Sequence, residues 1–301
     1  MPDRSADRRA PSGAGGVLIG ALLVDKPAGP TSHDVIARVR LALGVRSVGH
    51  TGTLDPFATG LLVVLIGRAT RLARYFDDRP KLYRATVRLG QGSDTDDATG
   101  TLGPVVASGG WWVEEVGAAL QSFVGTYPQR PPAYSAKKVD GKRAYTLARK
   151  GEDVLLPPVE VTVHSAKLLG YQPPDVEMMV SVSGGTYVRA LARDLGERLG
   201  VPAHCAALRR EAIGDLQVDQ AVPLDAITRT TPLLTPAEVL AHLPRFEVSA
   251  EGVEALGHGR QVPADRPTDR PSAALFAGRL IAVGHGTPDG HFQPDVVMEG
   301  A

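Results

Sequence analysis

Residues 49–60 read GHTGTLDPFATG. Gly49, Gly52 and Gly60 permit close backbone approaches that a side chain would block. Asp55 precedes Pro56, and the proline ring pushes the preceding residue out of helical space into extended backbone. The loop therefore holds one carboxylate on a stiff, extended stretch. Upstream, Thr31 or Ser32 can cap a helix running to about Leu43, with Val35, Val39 and Ala42 at helical spacing and Gly44 as its stop. Downstream, LLVVLIG (61–67) is a continuous apolar run, the pattern of a strand buried on both faces. The loop thus joins a helix to a buried strand.

Further out, Val17 to Val24 is apolar and β-prone. In YRATVRL (83–89), Tyr83, Ala85, Val87 and Leu89 share one face and Arg84, Thr86 and Arg88 the other, predicting a half-buried strand. VEVTVHS (159–165) and VEMMVSVS (176–183) read as two more strands. The second runs through Gly184-Gly185 into a predicted helix, TYVRALARDLGERLG (186–200), with Val188, Leu191, Leu195 and Leu199 on one face. Strands mixed with helices, without a strict βαβ period, predict a mixed sheet of the α/β or α+β class. Near Leu243-Pro244 the character changes. Residues 245–301 combine a Pro-rich stretch, PADRPTDRPSA, with short strand-like pieces such as RLIAVG, predicting a small, mostly β C-terminal domain. The larger unit is placed at 17–244, and residues 1–16, rich in Arg, Asp, Pro and Gly, are expected to be a disordered tail.

Lys+Arg and Asp+Glu both number 33, so net charge gives no hint of a polyanionic partner and local charge must be read instead. Residues 34–88 hold ten basic residues against four acidic ones, and residues 129–150 hold seven against Asp140 alone, with Tyr134 and Tyr145 interleaved. A solvated basic face explains one such cluster. Two in a neutral chain suggest phosphate neutralisation and base stacking, with 129–150, opened by Pro131-Pro132, as an RNA-gripping insertion carrying Lys137, Lys138, Lys142 and Arg143. The single cysteine, Cys205, precludes an internal disulfide and fits a reducing cytosol. The longest strongly apolar run, Leu61 to Ile66, is far short of a membrane span, and the N-terminus lacks the apolar core of a signal peptide. The scattered histidines form no HExxH pattern, SDTDDATGTLG (93–103) lacks calcium-loop spacing, and no GxxxxGK phosphate loop occurs, so no metal or nucleotide cofactor is expected. His204-Cys205 reads as packing.

Alone, Asp55-Pro56 would mark a turn and His50 an ordinary histidine. Six blocks in order change that reading: GALLVDKPAGPTSHDVIARVR (20–40), VGHTGTLDPFATGLLVVLIGRATRL (48–72), KLYRATVRLGQGSDTDDATG (81–100), PPAYSAKKVDGKRAYTLARKG (131–151), VSGGTYVRALARDLG (182–196) and AHCAALRR (203–210). Together they resemble the tRNA pseudouridine synthase B, or TruB-type, family, which modifies uridine 55 in the T-loop of tRNA. The resemblance implies a pseudouridine synthase fold with an RNA cleft across the sheet, and a PUA-like RNA-binding domain at 245–301, where the motifs are loose. It makes Asp55 the catalytic aspartate and Arg189 its partner. His50 would enter the space left by the flipped base, Tyr83 and Tyr187 would contact the target uridine, and Leu208 would line its pocket. Lys26-Pro27 would be structural, and the acidic 93–103 stretch a loop near the site.

These roles make chemical sense. A nucleotide in folded RNA must be flipped out before its base can be worked on. Pseudouridine formation breaks the C1′–N1 bond and makes a C1′–C5 bond with no redox change. An ionised carboxylate can add to C6 of the base, attack C1′, or act with a base that removes the C2′ proton. An adjacent arginine would help keep it ionised, and Tyr83 is the candidate for proton transfer. The expected substrate is tRNA through its T-arm. No membrane association and no obligate protein partner are expected, and the chain is expected to be monomeric and cytoplasmic. The competing expectations are an RNA-guided pseudouridine synthase and a non-catalytic RNA-binding or RNA-folding protein.

Overall fold

The computed structural model describes residues 18–107, 110–133, 138–139, 142–143, 156–264 and 270–298. Seventeen strands occur among them. They are β1 (Gly20–Lys26), β2 (Val48–His50), β3 (Thr59–Ile66), β4 (Lys81–Leu89), β5 (Gly125–Gln129), β6 (Lys138–Val139), β7 (Lys142–Arg143), β8 (Val159–Gln172), β9 (Asp175–Val182), β10 (Ala203–Ile213), β11 (Leu216–Gln217), β12 (Val222–Pro223), β13 (Arg245–Glu247), β14 (Val262–Pro263), β15 (Ser272–Phe276), β16 (Arg279–Gly286) and β17 (His291–Val297). The helices are α1 (Ser32–Leu43), α2 (Val113–Gln121), α3 (Val188–Arg198), α4 (Pro236–Val239) and α5 (Ala250–Gly257), with a 3₁₀ segment over Gly67–Phe76. None of the described helices is long and apolar enough to cross a membrane.

The main sheet runs β12-β1-β3-β10-β4-β9-β8-β5, with β2 on β3 and β11 on β10. It is mixed: β1–β12 and β3–β10 are parallel and the other pairs antiparallel. Strand β10 therefore lies between β3 and β4, which are successive along the main-sheet path of the chain. The alternation read in 83–89 is seen directly, since Tyr83, Ala85, Val87 and Leu89 are buried on one face of β4. That face and its β9 counterpart, Val176, Met178, Val180 and Val182, pack under α2 and α3. Helix α1 covers a second cluster through Val35, Ile36, Val39 and Leu43 against Leu62, Val64 and Ile66. Its ends are those expected: Thr31 and Asp34 form a capping box and Gly44 is left-handed at φ 68°.

Several elements differ from their predicted extent: β1 ends at Lys26, two residues past the predicted Val24, and α3 covers Val188–Arg198 rather than 186–200. The loop predicted from Gly49 starts two residues later, because Gly49 and His50 pair with Leu65 and Val64 as part of β2. Strand β8 continues well past Ser165 to Gln172, with register shifts between Val163 and Ser165 and between Leu168 and Gly170. Each shift breaks the two-residue alternation that sequence reading depends on, so the second half did not read as strand.

The five C-terminal strands form a second sheet in the order β13-β15-β16-β17-β14. One side of it packs with α5 through Leu256, Ala274, Ile281 and Phe292. The other shares a cluster with the main sheet, in which Ala273, Leu275, Leu280 and Val283 meet Ala21, Leu61, Leu65 and Leu72. Arg68 and Arg71 donate to the carbonyls of Met298 and Val297 across the same junction.

Candidate active site

The Asp55 loop is clamped from both sides. Ser32, the first residue of α1, donates its hydroxyl to the Leu54 carbonyl at 3.1 Å and accepts from the Leu54 amide at 2.9 Å. On the other flank, the Pro56 carbonyl accepts from the Gly29 amide at 2.8 Å and the Lys26 ammonium at 3.3 Å. Lys26 is fully buried and also donates to the carbonyls of Pro27 and Pro30, so the Lys-Pro signature is a backbone clamp. Burial outweighs the pull of Asp55 and lowers its pKa to about 8. A third clamp is Arg210, 1% exposed, whose guanidinium donates to the carbonyls of Leu61, Gly52 and Thr53. At Gly60, φ is 100° and a Cβ would collide with the Arg210 backbone, which accounts for the last glycine of the loop.

The carboxylate held this way meets Arg189, 134 residues away in sequence. Nε of Arg189 lies 2.8 Å from Asp55 Oδ2 in an ion pair, and Nη2 donates to Oδ1 at 3.3 Å. The third guanidinium nitrogen, Nη1, donates to the Thr95 carbonyl at 2.8 Å and to Asp97 Oδ2 at 3.1 Å. Asp97 Oδ1 in turn accepts from the Thr99 amide and the hydroxyls of Thr95 and Thr99. One arginine thus bridges two carboxylates. The Arg189 and Asp97 side chains are each 5% exposed, while Asp55 keeps 34% of its side chain open to the cavity. Burial pushes the Asp55 carboxyl above the ordinary aspartate value. The Arg189 guanidinium opposes that rise, Asp97 adds to it, and Lys26 pulls it down, leaving the net direction upward. The expected arginine support is present, but it only partly offsets desolvation.

A cavity of about 510 Å³ opens in front of this pair. Tyr83 from β4, Tyr187 and Arg189 from the start of α3, Leu208 from β10 and Asp55 all line it. Five of the six residues singled out for the centre therefore converge. His50 is not among the lining residues. It faces α1, its ring edge-on to His33 with centroids 5.8 Å apart, and its Nδ1 is buried with no hydrogen-bond partner among the described residues. Burial and the His33 and Arg210 charges lower its pKa, so the ring is neutral near pH 7. Lys137 lies outside the described residues; Lys138, Lys142 and Arg143 are described only as the backbone of the β6–β7 hairpin.

Sequence reading missed several supports. Gln129, fully buried at the end of β5, accepts from the Tyr187 amide at 2.9 Å and donates to the Tyr187 carbonyl at 3.1 Å. In the sequence Asp97 belongs only to a loop expected near the site, and Arg210 only to the block AHCAALRR. Nothing in a one-dimensional pattern marks them, because each acts on a segment far away in the chain. Among the described residues no three His, Cys, Asp or Glu side chains converge as a metal site.

Known proteins resemble this chain in sequence and in fold. Residues 40–188 match the family model described as TruB family pseudouridylate synthase, N-terminal domain. The chain is 43% identical over 256 residues to the tRNA pseudouridine synthase B of Syntrophotalea carbinolica, covering 83% of this chain and 84% of that protein. It is 43% identical over 293 residues to that of Thermobifida fusca, covering 94% and 99%. Among solved structures, a Cbf5-Nop10-Gar1 complex aligns with a TM-score of 0.72 and 25% identity over 93% of this chain and 85% of that one. The archaeal box H/ACA sRNP Nop10-Cbf5 complex aligns with the same TM-score at 24% identity. The fold is that of a pseudouridine synthase. The chain belongs to the TruB family.

Proposed function

We propose that this chain isomerises uridine 55 in the T-loop of tRNA to pseudouridine, acting alone, as a monomer and in the cytoplasm. The observation that carries the reading is the Asp55–Arg189 ion pair at the wall of a cavity lined by Tyr83, Tyr187 and Leu208. The name carried by relatives 43% identical, tRNA pseudouridine synthase B, supports tRNA as the RNA. Flipping the uridine out costs on the order of a few kcal/mol. Stacking on Tyr83 or Tyr187 returns ~1–3 kcal/mol of that, and the neutral His50 ring fills the vacated place in the RNA.

In the reaction the N1–C1′ bond breaks and a C5–C1′ bond forms. The C5 proton is lost and N1 gains one, so product and substrate have the same atoms and no co-substrate is consumed. Asp55 supplies the reacting carboxylate, Arg189 holds its charge and aim, and Tyr83 serves the proton transfers. Residues 17–244 are the catalytic domain. Residues 245–301, with their own five-stranded sheet, are a PUA-like RNA-binding domain.

The test is incubation of the purified chain with an unmodified tRNA transcript, with pseudouridine mapped by nucleotide. Product at position 55 is expected. Tight binding without product would make the chain a non-catalytic RNA binder, and product only after adding a guide RNA and partner proteins would make it a guided enzyme. The basic 129–150 segment supplies the grip. Replacing Lys137, Lys138 and Lys142 together by Ala should weaken tRNA binding and flatten its salt dependence. The log–log slope should drop by about 0.7–0.9 for each phosphate left without its cation. An unchanged slope would remove that segment from the interface.

A further inference from the structure

One arginine outside the cavity is tied to three parts of the site at once. Arg193 lies one helical turn beyond Arg189 on α3, so the two share a face. Its Nη1 donates to Asp96 Oδ2 at 2.8 Å, and Nη2 donates to the Arg130 carbonyl at 2.8 Å. Nη2 and Nε also bind Asp194 Oδ1, at 2.8 and 3.1 Å, and Glu197 lies 3.8 Å from Nε. Asp96 is 9% exposed and precedes Asp97, the second carboxylate on Arg189. Its backbone is left-handed at φ 59°, a region uncommon for non-glycine residues though better tolerated by Asp than by most. The Cys205 amide donates to its carbonyl at 2.9 Å and its own amide reaches the Ser93 carbonyl at 3.2 Å, but Arg193 alone of the described residues pairs with its carboxylate in a salt bridge. Arg130 follows Gln129, which holds both backbone groups of Tyr187.

The geometry points to Arg193 as a positioning residue for the reaction. It holds the left-handed Asp96 in place so that Asp97 aims Arg189, and through it Asp55, while tying that loop to the end of β5. This rests on the proposed pseudouridine synthase activity. Without Arg193, Asp96 loses its salt-bridge partner, keeps only the more distant pull of Arg189, and the 95–97 turn relaxes. Arg189 then loses the geometry of one of its two anionic anchors. Small displacements of a catalytic group can cost ~10²-fold in rate. A shift passed through one intervening loop is expected to cost about tenfold on that scale.

Single-turnover rates at saturating tRNA and tRNA dissociation constants test it for the wild-type chain, Arg193→Met, Arg193→Lys, Asp96→Asn and Asp97→Asn, and for Arg193→Met combined with Asp97→Asn. Arg193→Met should lower the single-turnover rate about tenfold with tRNA affinity unchanged, and Arg193→Lys should restore part of it. In the Asp97→Asn background the Met substitution should add almost nothing, because the path runs through Asp97. Asp96→Asn breaks the same ion pair while preserving shape, and gives the same comparison if Arg193→Met does not fold. An unchanged rate in Arg193→Met or Asp96→Asn, or penalties that multiply with Asp97→Asn, would overturn the assignment. A wild-type chain that makes no pseudouridine would instead overturn the activity on which it rests.

Discussion

Asp55→Asn should bind tRNA as the wild-type chain does and make no pseudouridine. The side chain is nearly isosteric, and the backbone at 54–56 is held by Ser32, Gly29 and Lys26, none of which touches the carboxylate. The fold and the cavity therefore survive. One amide oxygen can still accept from Arg189, but the negative charge is gone, and with it the nucleophile or the counter-charge that each chemical route requires. Loss of a single well-placed electrostatic contributor costs about 10²–10³-fold, and loss of the reacting group itself should exceed that. Mapping by nucleotide after long incubation reads the result. Appreciable turnover would show that Asp55 is not the reacting carboxylate.

Arg189→Met should be nearly as severe and should differ in its pH dependence. The substitution keeps the aliphatic bulk and removes the cation shared by Asp55 and Asp97. Removing one partner of a buried pair typically destabilises by about 3–5 kcal/mol, because the remaining charge has nothing to offset its desolvation. Here two carboxylates lose their partner, so thermal stability should fall measurably. Of the influences on Asp55, burial and Asp97 both raise its pKa, and with Arg189 gone only Lys26 still lowers it. The active species is the ionised carboxylate. In the wild-type chain its raised pKa means activity is lost on the acid side at a higher pH than an ordinary aspartate would give. In Arg189→Met that limb should move further up, with activity near neutrality down by about 10²–10³-fold and partly recovered as pH rises. A flat loss at every pH would mean that Arg189 serves geometry alone.

The parts of this molecule that were legible in one dimension are those set by local physics. The strand at 83–89 declared its faces through alternation, and the burial of Tyr83, Ala85, Val87 and Leu89 follows it residue by residue. Helix α1 was bounded by Thr31 or Ser32, of which Thr31 is the cap, and by Gly44, because a capping side chain and a left-handed glycine are local devices. Helix α3 was placed just after the Gly184-Gly185 turn, from Thr186, and begins two residues later at Val188. Strand β8 was half read, since its bulges break the alternation. For the site, the motif blocks named Asp55, Tyr83, Tyr187, Arg189 and Leu208, and all five line one cavity. His50, read from the same loop, faces His33 and α1 because pairing with Val64 draws it into β2.

The sequence by itself determined the backbone that presents Asp55: an extended pre-proline residue between a capped helix and a strand buried on both faces. These follow from steric preferences and apolar spacing within about a dozen residues. What gives that carboxylate its environment was decided only in three dimensions. Strand β10 inserts between β3 and β4, which brings Leu208 to the cavity and Arg210 under the loop. Helix α3 packs on the β4–β9 face, which sets Arg189 between Asp55 and Asp97. Those contacts join segments about 90 to 160 residues apart, where no local preference operates. Strand order and the close packing of the core select them, and they set the aim and the charge of Asp55.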